Sequence, residues 1–254
     1  MTSYLIARNT FRETTRDRML LGALGAGAVL LAATQLLGPL ALGEGLRLTV
    51  DLGLSGITFI GLTIVLVVGT SLVTKEIEKR TIYNLLSRPL SRRSYLVGKW
   101  AGLAASLWVM TVALGAALTG LVVVRGHAGL AGPIAQAVYL AGLELTVITA
   151  VAVLFSAISS PALSGLYTLG LFLVGQWSYD LRGFAGQFPP PVAAACTAAA
   201  NLVPNLPLFN MRTLAASGEA TSAAHLALAT LYALTYCACA LCLATSALET
   251  RDFK

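Results

Sequence analysis

Charge is what this sequence of 254 residues has least of: Asp, Glu, Lys and Arg together make up 11% of it, against 57% hydrophobic residues. Soluble domains cover their exterior with about 25% charged residues, so a water-soluble globular domain is excluded and most of the surface must face lipid. Cysteine is scarce as well. Three of the four cysteines lie inside the last apolar run, which provides no disulfide framework. The phosphate-binding loop G-x-x-x-x-G-K-[ST] is missing, because Gly98 and Lys99 are followed by Trp100 at the edge of an apolar run. Any ATP hydrolysis linked to this chain is therefore expected on another polypeptide. No nucleophile and base, and no cluster of metal ligands, falls together in the apolar runs, which disfavours an intramembrane enzyme.

What is present is a series of long apolar runs, at about 19–42, 52–73, 97–124, 134–155, 162–177 and 226–248. A crossing helix needs about 20 such residues, so these are six expected spans, with no stretch left for a sizeable soluble domain. The first run is too long for a signal-peptide core and is expected to stay as a span. The net charge of +6 suggests nucleic acid only until the charges are placed along the chain. Arg8, Arg12, Arg16, Arg18, Lys75, Lys79, Arg80, Arg88, Arg92, Arg93, Lys99, Arg251 and Lys254 all fall on one side of a six-span layout, and only Arg47, Arg125, Arg182 and Arg212 on the other. The positive-inside rule puts the first side, with both termini, in the cytoplasm.

Two polar segments have organisation of their own. In 2–18, Tyr4, Ala7 or Arg8, Phe11 and Thr15 follow helical spacing beside a basic row of Arg8, Arg12 and Arg16, which reads as an interfacial helix lying on the inner leaflet. In 75–94, residues 76–87 contain no helix breaker, and Ile77, Ile82, Leu85 and Leu86 can line one helical face, with Glu78, Lys79 and Arg80 among the polar positions. Pro89 then ends the helix. An amphipathic cytoplasmic helix of this kind can dock into a soluble partner or can simply set topology, and composition leaves both open.

The pattern Glu76, Thr81, Leu85, Leu86, Pro89, Arg92, Gly98, Lys99, directly after an apolar span, resembles the cytoplasmic helix and turn of type-2 ATP-binding-cassette permeases. It is most similar to the six-span branch that includes permeases for multicopper-enzyme maturation. The opening IARNTFRETTRDRML and the ending LETRDFK resemble the same branch. The resemblance implies an all-α integral membrane protein forming one permease domain over 1–254. It has six transmembrane helices, an N-terminal interfacial helix, a coupling helix between spans two and three, and re-entrant helices before span six in 180–224. Pro189, Pro190, Pro191, Pro204 and Pro207 interrupt that outer segment. Non-helical backbone at membrane depth must be buried in protein or face water, so this segment is expected to cap the cavity between two subunits.

The resemblance also implies the partners: two copies of a cytoplasmic ATPase that bind ATP and Mg, and a second permease as homodimer or paralogue. No cofactor is expected on this chain, and no nucleic acid. It assigns coupling to Glu76, Glu78, Arg80, Thr81, Ile82, Leu85, Leu86, Arg88, Pro89 and Arg92. Arg88, Arg92 and Arg93 would pair with acidic groups of the ATPase or with anionic lipid heads. The implied activity is that of the permease subunit of an exporter in the cytoplasmic (inner) membrane.

Several residues invite a reading of their own. Glu144 is the single acid well inside a run, where a carboxylate is costly unless paired, protonated or wet. It is a candidate proton relay, polar gate or cation contact, or else a hydrogen-bonded strut for which Thr146, Thr149 and Gln35 are possible partners. A proton-coupled secondary transporter using Glu144 is thus one competitor to the exporter, and a scaffold that recruits a soluble protein is another. Cys237, Cys239 and Cys242 do not share one helix face, which favours packing over metal binding. Gly22 with Ala26, Gly98 with Gly102, and Ala116 with Gly120 are small pairs that permit close helix approach. Trp100, Trp177 and Tyr179 suit interface anchoring, while Trp108 lies deeper. His127 and His225 fall at outer boundaries, and neither is given a role.

Overall fold

The computed structural model describes residues 2–16, 18–37, 44–72, 91–179, 183, 189, 191–194, 197 and 203–250. Secondary structure among them is helical throughout. The helices are α1 (Thr2–Arg16), α2 (Arg18–Leu37), α3 (Gly45–Val67), α4 (Arg92–Val124), α5 (Ala131–Ile158), α6 (Pro161–Gln176), α7 (Arg212–Ser217) and α8 (Ala223–Thr250), with single 3-10 turns at Gly69–Ser71, Ala128–Leu130 and Leu206–Phe209.

Five helices among the described residues are long and apolar enough to cross a membrane: α2, α3, α4, α5 and α8. The fifth apolar run of the sequence does form a helix, α6, but its 16 residues advance only about 24 Å against a hydrocarbon core of roughly 30 Å. Other boundaries extend beyond the apolar runs. Helix α3 begins at Gly45 and takes in Arg47 and Asp51, and α4 begins at Arg92 behind a Ser91 N-cap whose Oγ accepts from the Ser94 amide at 3.3 Å.

The core sits on α5, which packs against α3, α4, α6 and α8, while α2 lies against α3 and α1 against α4. Several buried hydroxyls are satisfied within their own helices: Thr58 donates to the Leu54 carbonyl, Thr149 to Leu145 and Thr168 to Ser164, whereas Ser164 reaches across to the Phe155 carbonyl of α5 and Thr111 Oγ1 has no partner among the described residues. With no water in a bilayer core, this back-bonding lets a polar side chain sit in an apolar layer. Close approach is bought with glycine at Gly142, where a methyl group would stand 2.8 Å from the Trp108 ring. Helix α8 meets α5 through a stripe of small residues, Ala229, Ala233, Cys237, Ala240 and Ala244, and turns Leu228, Leu231, Leu234 and Leu243 outward.

Helix α1 forms over the expected residues. Ile6, Thr10 and Thr14 turn to the protein, Ala7, Phe11 and Thr15 are half-buried, and Tyr4 and Leu5 project outward at 70% and 54% exposure. The cause is the partner surface. A methyl group at Gly102 would stand 2.5 Å from the Ala7 carbonyl oxygen and one at Gly98 2.9 Å from that of Ser3. The backbones of α1 and α4 therefore touch, and only a slim face of α1 fits.

Candidate functional site

Of the expected coupling residues, Glu76, Glu78, Arg80, Thr81, Ile82, Leu85, Leu86, Arg88 and Pro89 lie outside the described residues. Arg92 opens α4, and its backbone alone is described. What is visible is how the two ends of that segment are held. On one side, Gly69 beyond α3 contacts Leu103 of α4 and Ala152 of α5, and Leu72 packs on the core. On the other, Tyr95 and Leu96 of α4 join Val153 and Ala157 of α5 and Leu241, Ala244 and Leu248 of α8 in a second apolar cluster, with Ile6 of α1 against it. Lys99 is buried, its ammonium 6.0 Å from the Tyr95 ring. Gly98 and Lys99, quoted above for their likeness to a family pattern, thus sit where α1 is clamped to α4. Gly22, Ala26, Ala116 and Gly120 face outward and make no comparable contact within the chain.

A second region lies around Glu144, halfway along α5 and 1% exposed. Its carboxylate accepts a hydrogen bond of 2.5 Å from Nε2 of Gln176, the last residue of α6. Thr146 and Thr149 are occupied elsewhere, donating to the Gly142 and Leu145 carbonyls, and Gln35 donates to Leu31 and Thr34 on α2. None of the three expected partners therefore meets Glu144. The residue that does is 32 positions away, a pairing that no local spacing announces.

Helix α6 stops at this level because the chain turns away after Gln176 and comes back through Pro204. The Pro204 carbonyl would lie 3.0 Å from a methyl group at Gly175, and Leu206 and Phe209 are fully covered. This return is pinned by polar contacts. The Asn205 amide donates to the Tyr232 hydroxyl at 2.8 Å, Ser178 Oγ donates to Asn205 Oδ1 at 3.2 Å, and His225 Nε2 lies 2.9 Å from the Leu208 carbonyl oxygen. Helix α7 then packs on α3 and α5, and Gly218, at a positive φ of 83°, closes it with a left-handed cap.

The return brings in Arg212, the first residue of α7. Its guanidinium donates to Ser55 Oγ of α3 at 3.0 Å. Between α2, α3, α6 and α7 is a cavity of about 500 Å³. Gln176 and Arg212 form its polar end, and Leu30, Phe59, Leu62 and Phe172 its apolar wall. Sequence reasoning placed Arg212 among the outer charges and gave it no task. The missing signal is tertiary: Arg212 meets Ser55 across 157 positions, where α7 packs on α3.

The cysteines separate as the spacing suggests. Cys237 is buried with its thiol 3.7 Å from the Thr146 carbonyl, whereas Cys239 and Cys242 face outward. Among the described residues no group of His, Cys, Asp or Glu is arranged to hold a metal ion. Trp100 and Trp108 both reach into α5, donating to the Thr146 carbonyl at 3.3 Å and to Thr146 Oγ1 at 3.0 Å. Trp100 is therefore a packing residue, while Trp177 and Tyr179 are exposed.

A layer of long apolar helices around one buried helix, with a polar cleft at mid-depth, defines a multi-pass membrane protein. Residues 4–253 match the family model described as ABC-2 family transporter protein, so the chain belongs to the ABC-2 transporter family as a membrane domain. A search among curated proteins finds no match to it.

Proposed function

We propose that this chain is the permease subunit of an ATP-driven exporter, moved by a separate ATPase that grips residues 76–87. The observation that carries the reading is family membership across 4–253 in a chain with no phosphate loop of its own. In this reading two permeases, as a homodimer, work with two ATPase copies that bind ATP and Mg, in the inner membrane with both termini cytoplasmic. Six crossings are completed by α6 together with the re-entrant turn through 206–217.

The mechanism is mechanical. Closure of the ATPases on nucleotide displaces the helices formed by 76–87. Glu76, Glu78, Arg80, Thr81, Ile82, Leu85, Leu86, Arg88, Pro89 and Arg92 form the surface that receives the push. Because α1 touches α4 backbone to backbone at Gly98 and Gly102, the start of α4 and all of α1 move as one body. A rigid body of that kind, packed on α5 and α8, tilts the spans and changes which side the cavity faces.

The test is co-isolation and genetics together. The reading expects an ATPase bearing a phosphate loop to be recovered with the full chain from its native membrane, and deletion of that ATPase to abolish transport. Transport that survives the deletion and collapses with the proton gradient would instead assign the protein to secondary transport through Glu144. Recruitment of a soluble protein with no transport at all would make it a scaffold.

A further inference from the structure

The cavity beside Arg212 is built for one kind of molecule. Of the five N–H donors of a guanidinium, one is used by Ser55 Oγ at 3.0 Å. Glu144 already accepts from Gln176 at 2.5 Å and is 1% exposed. Thr34 donates to the Leu31 carbonyl and Thr58 to that of Leu54, so these hydroxyls offer an entering group only neutral lone pairs. The polar end of the cavity therefore offers donors and one positive charge to whatever enters, and no free acceptor of comparable strength. A cation at this depth is costly unless an anion or water meets it.

The rest of the cavity is the reverse. Leu30, Ala33, Leu62 and Phe172 line it, and Phe59, 69% exposed, also lines a second groove of about 410 Å³ that continues between α2 and α3 past Gly22, Ala26, Ile60 and Ile64 to Val67. From Leu52 to Val67 the two cavities follow α3 for about 22 Å at 1.5 Å per residue. The lining of the second groove carries no charged side chain.

We infer that this track binds an amphipathic anion, its phosphate or carboxylate on Arg212 and Gln176 and its hydrocarbon chain along Phe59 toward Val67. As the substrate class of the exporter, this rests on the reading above; as a binding site, it stands on the track alone. A small inorganic anion would leave the apolar walls wet, and a neutral hydrocarbon would leave the guanidinium unmet. The anion can come from a bilayer lipid or from a free amphiphile, and the chemistry at Arg212 is shared.

The experiment is equilibrium binding of dodecyl phosphate, below its micelle-forming concentration, to the full chain in phosphatidylcholine nanodiscs. Saturable binding is expected, with no competition from inorganic phosphate, dodecyltrimethylammonium or dodecyl maltoside. Arg212→Gln should weaken it about tenfold or more, the loss of a charge-assisted contact. Arg212→Lys, which keeps the charge, should retain most of it. Ala33→Phe, which fills the apolar wall and leaves the charge untouched, should weaken binding while the helical circular dichroism stays that of the wild type. If phosphatidylglycerol in the nanodisc displaces the probe, the natural occupant is a lipid; if it does not, the occupant is a free amphiphile.

Equal competition by the neutral or cationic detergent, equal binding by inorganic phosphate, or indifference to either Arg212→Gln or Ala33→Phe would overturn the proposal. So would a cavity closed to the probe by a second copy of the chain. Stimulation of the co-isolated ATPase by dodecyl phosphate is read separately. A chain that binds the probe but recruits no ATPase contradicts the exporter, and a chain that recruits the ATPase but does not bind the probe contradicts the site.

Discussion

Helices α5 and α8 have the same length, 28 residues each, and nearly the same hydropathy, yet they live in different solvents. Of an 18-residue apolar stretch in the span containing α5, 78% is buried within the protein, against 22% of the corresponding stretch in that containing α8. The polar groups differ accordingly. On α5, Glu144 and Thr146 bond to side chains of other helices, Gln176 and Trp108. On α8, the outward hydroxyls of Thr235 and Ser246 bond only to their own helix, at the carbonyls of Leu231 and Cys242. In a bilayer, lipid tails and leucine side chains are equally apolar, so hydropathy marks both helices as spans and cannot rank them. Interhelical polar contacts and small residues at the contact do rank them.

That contrast gives a graded set of expectations, each read as the change in unfolding free energy in mixed micelles. Ala150 is 0% exposed, and Ala150→Phe should cost about 3 kcal/mol by overpacking. Gly142→Ala drives a methyl group toward the rigid Trp108 ring at 2.8 Å and should cost about 1–3 kcal/mol. Gln176→Leu removes the donor to Glu144, and the unmet buried carboxyl should cost about 1–2 kcal/mol; Glu144→Gln, which keeps an acceptor, should restore most of that stability in place of Glu144→Leu. Trp108→Phe gives up the bond to Thr146 and should cost about 0.6 kcal/mol, the average for such bonds in membranes. Leu231→Ala on the outward face of α8 should stay within about 0.5 kcal/mol. If Leu231→Ala matched Ala150→Phe, the outward face of α8 would be an interface and the contrast would fail.

Much of this was open to reading before the structure. Composition excluded a soluble domain, and the apolar runs located α2, α3, α4, α5 and α8, because spanning helices must satisfy their backbones internally and so write long runs into the sequence. Glu144 stood out for the same reason, as a charge among apolar neighbours. Its partner did not, because Gln176 meets it from 32 positions downstream, a pairing set by the packing of α6 on α5. The run that forms α6 read as a full span because it carries no charged residue; that the helix ends level with Glu144 follows from what Pro204 and Leu206 do against Gly175. Which side of α1 turns to the protein was not legible, because Gly98 and Gly102 of α4 decide which side fits. The coupling residues other than Arg92 lie outside the described residues, and the role of all of them rests on the sequence pattern and the family.

The most direct measurement is recovery of an ATPase with the chain from native membranes, comparing wild type with Leu85→Asp and with Leu231→Ala. The account predicts one ATPase copy per permease for the wild type and Leu231→Ala, and loss of most of it for Leu85→Asp while the permease itself is extracted at the same level. An ATPase retained in full by Leu85→Asp, or a wild-type chain that carries none, would contradict it.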